Sequence, residues 1–369
     1  MRQVTRIFGS DSFYNADPFN EMDPSSNDTA YLSSVASAIY RSMADADPNA
    51  VWVLQGWFLL DGWWQPPQTK AFLDGAPDDR LIVLDLWAEV EPYWRDHSNF
   101  YGKQFIWCML HDFGGRSGLY ASFDAVNSGL GQAVQQAPNL VGIGLTPEAI
   151  DTNPVIYDFM TEFAWTSAPR DVDSWMDGWA ARRYGAANSA ARQYWRTLRQ
   201  QILNCNTGQM AATASPLVMQ PRLELGSGVG CCASLQQYYD PARLDAAWST
   251  LLSAAPQLGG QDTYRNDLVE ITRQVLGDYS FLVYARMVAA FNASDAAAFA
   301  NHSQAFLELF VDLDRMLGTQ PSYLLGVWAD RASLWGVTPE ESALLRRGAL
   351  LQVFAFSLLS FSRVSDFLR

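Results

Sequence analysis

Four short runs, Ala50-Val-Trp-Val-Leu54, Arg80-Leu-Ile-Val-Leu-Asp85, Phe105-Ile-Trp-Cys-Met-Leu110 and Leu140-Val-Gly-Ile-Gly-Leu145, are apolar almost throughout, and longer helical stretches separate them. Strands of this kind have no water-facing side, so they belong in a parallel sheet built from βα units and buried on both faces. An opening strand precedes them and leads into a loop containing Glu21. Each strand is followed by polar or aromatic groups: Asn20 and Glu21, Gln55 and Trp57, Asp85 and Glu89, His111 and Asp112, and Glu148. In a (β/α) barrel the groups that do chemistry sit at these strand ends. Capping of the following helix is the competing explanation, above all for Asp112 and Glu148.

Beyond about residue 170 the pattern changes to helix. Residues 173–185 combine a capping start with a glycine stop. Asp240-Pro241 opens another helix, with Asp as cap and Pro in the first turn. Two long helices are expected near residues 263–291 and 295–317, and Thr338-Pro-Glu-Glu341 has capping-box spacing. The expected fold class is α/β plus α, with (β/α) barrel strands up to a boundary near residue 170 and a helical domain after it.

A formal charge of −14 leaves no basic footprint for nucleic acid. Residues 348–360 are shorter than the ~20 apolar residues of a membrane span and are interrupted by Gln and Ser, so no membrane partner is expected. His97, His111 and His302 are too dispersed for a zinc motif, and the cysteines have no metal or redox spacing. No metal or other cofactor is expected. Cys231 and Cys232 are adjacent, which disfavours a bridge between them, and Cys108 lies in a strand-like run. No apolar leader follows Met1, whereas Asn27-Asp-Thr, Asn292-Ala-Ser and Asn301-His-Ser are acceptor sequons that mildly favour a secretory origin.

The 14 Trp, 15 Tyr and 20 Phe bear on the substrate class, because flat rings with a polar edge cover the apolar face of a sugar. Glu21 lies beside Asn20 and Phe19, and Glu162 lies in Tyr157-Asp-Phe-Met-Thr-Glu-Phe-Ala-Trp165. Two carboxyl groups in apolar, aromatic surroundings are what glycosidic cleavage needs, one protonated and the other ionised.

The residues carry a resemblance as well. Tyr14-x-x-Asp17-x-Phe-Asn-Glu-Met22, Trp52-x-Leu-Gln-Gly-Trp57, Phe105-Ile-Trp-Cys-Met-Leu-His111, Val141-Gly-x-Gly144, Pro147-Glu148, Ala180-Ala-Arg-Arg-Tyr-Gly185 and Leu324-Leu-Gly-x-Trp328 resemble, in one order, the α-N-acetylglucosaminidases of glycoside hydrolase family 89. The resemblance implies removal of terminal α-linked N-acetylglucosamine from glycans such as heparan sulfate, by a retaining reaction. It implies Glu21 as acid/base and Glu162 as nucleophile. Asn20, Trp57, Asp85, Glu89, Trp107 and His111 are expected around the sugar, with strand-end scaffolding as the competing reading for Asp85, Glu89 and His111, and the resemblance implies a lysosomal or secreted setting. The family has an N-terminal domain and further barrel strands ahead of its Phe-Asn-Glu motif, whereas this chain starts almost at that motif. The expectation is therefore the C-terminal half of a (β/α)8 barrel, a partial barrel over residues 1–170, with an all-helical domain over 171–347 and a divergent tail over 348–369. Asp112 and Arg116 stand where the family usually has Asn. A non-catalytic, sugar-binding or vestigial fragment is the alternative. Homo-oligomerisation stays open.

Overall fold

The computed structural model describes residues 2–113, 118–148, 152–166, 168–219, 222–226, 228–229 and 233–358. Cys231, Cys232 and Arg116 lie outside them.

The strands expected from the apolar runs are β2 (Val51–Gln55), β3 (Leu81–Asp85), β4 (Gln104–Met109) and β5 (Leu140–Leu145), and a short β1 (Phe13–Asn15) precedes them. They pair in parallel in the order β1-β2-β3-β4-β5, so all their C-terminal ends lie along one edge of the sheet. Parallel neighbours need a return path. After α1 (Arg2–Phe8), helices α2 (Thr29–Ala44), α3 (Pro66–Leu73), α4 (Tyr93–Asp96) and α5 (Phe123–Gln136) lie between successive strands. The Asp28 carboxylate accepts the Tyr31 N–H at 2.8 Å and caps α2.

Period-two alternation separates the two faces of the sheet. Trp52, Leu54, Leu81, Val83, Asp85, Phe105 and Trp107 are buried and lie on one face by strand register. That face carries the helices: the Trp52 ring meets Phe72 of α3 at 5.8 Å and Phe105 stacks on Trp94 of α4 at 6.2 Å. Full burial of a Trp or Phe contributes about 1.5–3 kcal/mol, so this layer is the principal core of the sheet. On the opposite face, Val53, Gln55, Ile82, Leu84 and Ile106 are only partly buried.

After β5 come α6 (Pro154–Thr161), α7 (Val172–Tyr184), α8 (Ser189–Gln201), α9 (Pro241–Leu252), α10 (Ala255–Leu258) and α11 (Asp262–Asn292). Helices α12 (Ala296–Leu317), α13 (Leu325–Ser333) and α14 (Pro339–Leu358) follow. Asp240 accepts the Ala242 N–H at 3.0 Å, the cap expected for α9. The chain divides into two compact units, residues 1–264 and 265–369. No helix among the described residues is long and apolar enough to cross a membrane.

Candidate active site

Glu21 stands in the loop that follows β1, and that loop is fixed from both sides. The Asp17 carboxylate accepts the Gln55 N–H at 2.8 Å, and the Trp52 indole donates to the Ala16 carbonyl at 2.8 Å. Phe19 packs on Trp64 and Phe72 at 5.9 and 5.8 Å. The following residues, Asn20 and Glu21, thereby line an open hollow of about 350 Å3 together with Trp57, Asp61, Trp64 and Asp23. Asn20 Oδ1 is buried without a partner, an acceptor of the kind a ligand hydroxyl or amide satisfies. Asp23 is raised from its ordinary value by desolvation and by the neighbouring Asp61 carboxylate.

Trp57 reaches the hollow on a 3-10 turn, Gly56–Leu60, that begins directly after β2. Glycine is required at its start, because a Cβ on Gly56 would lie 2.6 Å from the Leu84 carbonyl oxygen. The Trp57 ring packs on Phe113 at 5.5 Å, and Phe113 packs on Trp87 at 5.4 Å. These rings form an aromatic wall from three successive strand ends.

Four residues expected around the sugar, Asp85, Glu89, His111 and Trp107, are buried. Asp85 is fully buried on the helix-facing side and accepts the Trp94 N–H at 3.2 Å, at the start of α4. Burial pushes its carboxyl up to about 8, against the backbone N–H groups that favour its charge. Glu89 accepts the His111 N–H at 2.7 Å and the Leu110 N–H at 3.1 and 3.2 Å, and burial raises it to about 7. His111 has a left-handed backbone, φ 69°. Its ring lies between Tyr120 and Tyr157 at 5.5 and 5.3 Å, with Nε2 3.3 Å from Asn153 Nδ2. Burial depresses its imidazole to about 3, so it is uncharged near neutrality. Trp107 is fully buried under α5, where a Cβ on Gly129 would lie 3.4 Å from its ring. It is packed into the core on the helix side, away from the strand-end mouth.

Glu162 and Glu148 differ in position. Glu148 follows the C-terminal end of β5 by three residues and is exposed, on the sheet edge that also carries Glu21. Glu162 comes only after α6, an eight-residue helix about 12 Å long. Its carboxylate is engaged on both oxygens: Arg170 Nη1 at 2.6 Å, the Trp175 indole at 2.9 Å and Arg182 Nη2 at 3.4 Å. It is not among the residues lining the Glu21 hollow. Sequence reasoning missed Asp61, Asp23 and Asn153. Asp61 directly follows the strand-end segment of Trp57, which was the available signal; nothing local marked Asn153.

Carboxylates and aromatic rings thus gather at the C-terminal ends of a parallel sheet, where (β/α) folds carry their binding and catalytic groups. Residues 1–167 match the alpha-N-acetylglucosaminidase (NAGLU) tim-barrel domain, and residues 175–360 match the C-terminal domain of the same family. The chain belongs to the alpha-N-acetylglucosaminidase family. It is 35% identical over 360 residues to the human alpha-N-acetylglucosaminidase, covering 96% of this chain and 47% of the relative. The chain thus spans about half the length of that relative. The family 89 glycoside hydrolase from Clostridium perfringens in complex with 2-acetamido-1,2-dideoxynojirmycin superposes with a TM-score of 0.87 at 28% identity, over 95% of this chain and 39% of that one. A variant of the same enzyme with two glutamates changed to glutamine, in complex with its substrate GlcNAc-alpha-1,4-galactose, superposes with a TM-score of 0.87 at 27% identity, with the same coverage. The family combines a TIM-barrel domain with a C-terminal helical domain.

Proposed function

We propose that the chain is the sugar-cleaving part of a retaining α-N-acetylglucosaminidase, with residues 1–170 supplying the C-terminal strands of a (β/α)8 barrel and residues 171–347 a helical domain. The partly exposed face carrying Val53, Ile82, Leu84 and Ile106 supports this reading, because it is the face that a closed barrel turns inward. The observation that carries the function is the hollow in which Glu21 and Asn20 meet Trp57 at adjacent strand ends. Glu21 is the acid/base: it protonates the leaving oxygen and then activates the water that releases the sugar. The Trp57 ring covers the apolar face of the sugar, and Asn20 meets a ligand donor.

For the nucleophile there are two readings. The motif resemblance gives the role to Glu162. The position of Glu148 on the strand-end edge favours Glu148, which would attack the anomeric carbon from the face opposite the leaving group. The ion pairs of Glu162 give that residue a structural duty. Retention requires the two reacting carboxyl groups ~5–5.5 Å apart. Asp85, Glu89, His111 and Trp107 support the site from behind. The substrate is a glycan with a terminal α-linked N-acetylglucosamine, of the heparan sulfate kind, met in a lysosomal or secreted setting. The test is hydrolysis of an aryl α-N-acetylglucosaminide at acid pH. Glu21→Gln abolishes it in a folded protein; full activity in that variant rejects the assignment.

A further inference from the structure

The Glu89 carboxyl group is buried, engages backbone, and is not among the residues lining the Glu21 hollow. Its Oε1 accepts the N–H groups of both Leu110 and His111, at 3.1 and 2.7 Å. These two residues begin the turn that leaves β4. His111 enters it with φ 69°, a conformation that costs a non-glycine residue of order 1 kcal/mol unless its surroundings enforce it. The Asp112 N–H closes the turn on the Leu110 carbonyl at 2.9 Å, and the Phe113 N–H is held by the Met210 carbonyl at 3.0 Å. The Phe113 ring then stands between Trp57 and Trp87. Two further bonds tie the segment carrying Glu89 to the same strand ends. The Ala88 N–H donates to the Cys108 carbonyl at 3.1 Å, and the Thr146 hydroxyl donates to the Leu86 carbonyl at 2.9 Å.

We infer that Glu89 is a positioning residue: by accepting the Leu110 and His111 N–H groups it fixes the turn that sets Phe113, and through Phe113 it sets the Trp57 ring in the Glu21 hollow. It touches no substrate. The inference rests on the glycosidase reading only for its kinetic readout. Glutamine retains one acceptor oxygen for both N–H groups, whereas methionine keeps the volume and strands two buried donors, so the two variants separate the clamp from simple packing.

The experiment uses the full chain labelled with 5-fluorotryptophan, with the Trp57 19F resonance assigned by Trp57→Phe. In Glu89→Met the ligand-free Trp57 resonance moves by more than its linewidth, and in Glu89→Gln it stays at the wild-type position. With an aryl α-N-acetylglucosaminide, Glu89→Met raises KM about tenfold while kcat stays within about threefold, since a displaced wall weakens binding before it touches the chemistry. Glu89→Gln restores KM. A purely structural role would lower the melting temperature and the active fraction without moving KM. An unmoved Trp57 resonance in folded Glu89→Met, or equal impairment by Met and Gln, overturns the inference. If Glu89→Met does not fold, Glu89→Asp, whose carboxylate falls one methylene short, takes its place with the same expected result. Failure of both to fold also overturns the inference, by making Glu89 a folding requirement. If the wild-type chain neither cleaves the glycoside nor binds 2-acetamido-1,2-dideoxynojirimycin, the glycosidase reading falls, and the fluorine resonance alone decides the role of Glu89.

Discussion

Replacing Glu162 by Gln separates a structural carboxylate from a reacting one. The wild-type group accepts from Arg170 at 2.6 Å, Trp175 at 2.9 Å and Arg182 at 3.4 Å. Arg170 is largely covered, at 15% exposure, and lies over the Phe159 and Phe163 rings, whereas Glu162 is 42% and Arg182 59% exposed. The Arg182 pair is a surface contact worth about 0–1 kcal/mol. A charge-assisted bond to a covered Arg is worth about 1.5–3 kcal/mol, and exposure of the carboxylate reduces this. Glutamine keeps a neutral acceptor for Trp175. The expected loss is therefore about 1–2 kcal/mol, or a melting temperature lower by about 2–8 °C for a unit of this size. Thermal melting by circular dichroism and kcat/KM on an aryl α-N-acetylglucosaminide are the assays. The account expects the melting shift with kcat/KM within about threefold of wild type, a change below 1 kcal/mol in transition-state binding. Unchanged melting together with a loss of turnover of about a thousandfold or more, the scale of a lost nucleophile, would refute it and return the role to Glu162.

Asp85, neutral up to about pH 8, and Glu89, up to about 7, keep protons in the folded chain that the unfolded chain releases near pH 4, so their contribution to stability falls as pH rises through that window. His111, depressed to about 3, acts in the opposite sense, with stability lost as pH falls from about 6.5 to 3. Above pH 6.5 only the two carboxyl groups of this set act, so the melting temperature falls between pH 6.5 and 8, and Asp85→Asn flattens that slope; an equally steep slope in Asp85→Asn refutes the assignment. Gly56→Ala forces a Cβ to 2.6 Å from the Leu84 carbonyl oxygen, which costs about 1–3 kcal/mol and shifts the turn bearing Trp57. Both melting temperature and affinity for 2-acetamido-1,2-dideoxynojirimycin fall, and wild-type values for both would contradict the placement.

Much of the α/β frame was legible, because parallel strands with apolar side chains on both faces show as unbroken apolar runs and the cap residues Asp28 and Asp240 mark helix starts; burial on both faces did not follow, since Val53, Ile82, Leu84 and Ile106 are only partly buried. The long helices expected near 263–291 and 295–317 are α11 and α12. A strand that is apolar on both faces, however, carries no pattern that tells one face from the other. Trp107 and Asp85 therefore read as mouth residues, although register sets them on the helix side. Asp85 has a further ambiguity, since a strand-end carboxylate can face a pocket or the N–H groups of the next helix, here that of Trp94. Glu162 illustrates the limit of local company: its neighbours Phe159 and Phe163 belong to a packed cluster around Arg170 and Trp175, brought together by segments that the immediate sequence does not reveal. The Glu21 loop was legible for the opposite reason, because Asp17, Phe19 and Asn20 act within a few residues of it.

The stereochemistry of the first-formed sugar tests the central claim most directly. Proton NMR recorded during early hydrolysis of an aryl α-N-acetylglucosaminide by the full chain, before mutarotation, reads the anomeric proton of the released N-acetylglucosamine. Two carboxyl groups working in succession predict the α-anomer first, with none formed by Glu21→Gln. The β-anomer as first product, or no hydrolysis by the folded wild-type chain, would contradict the account.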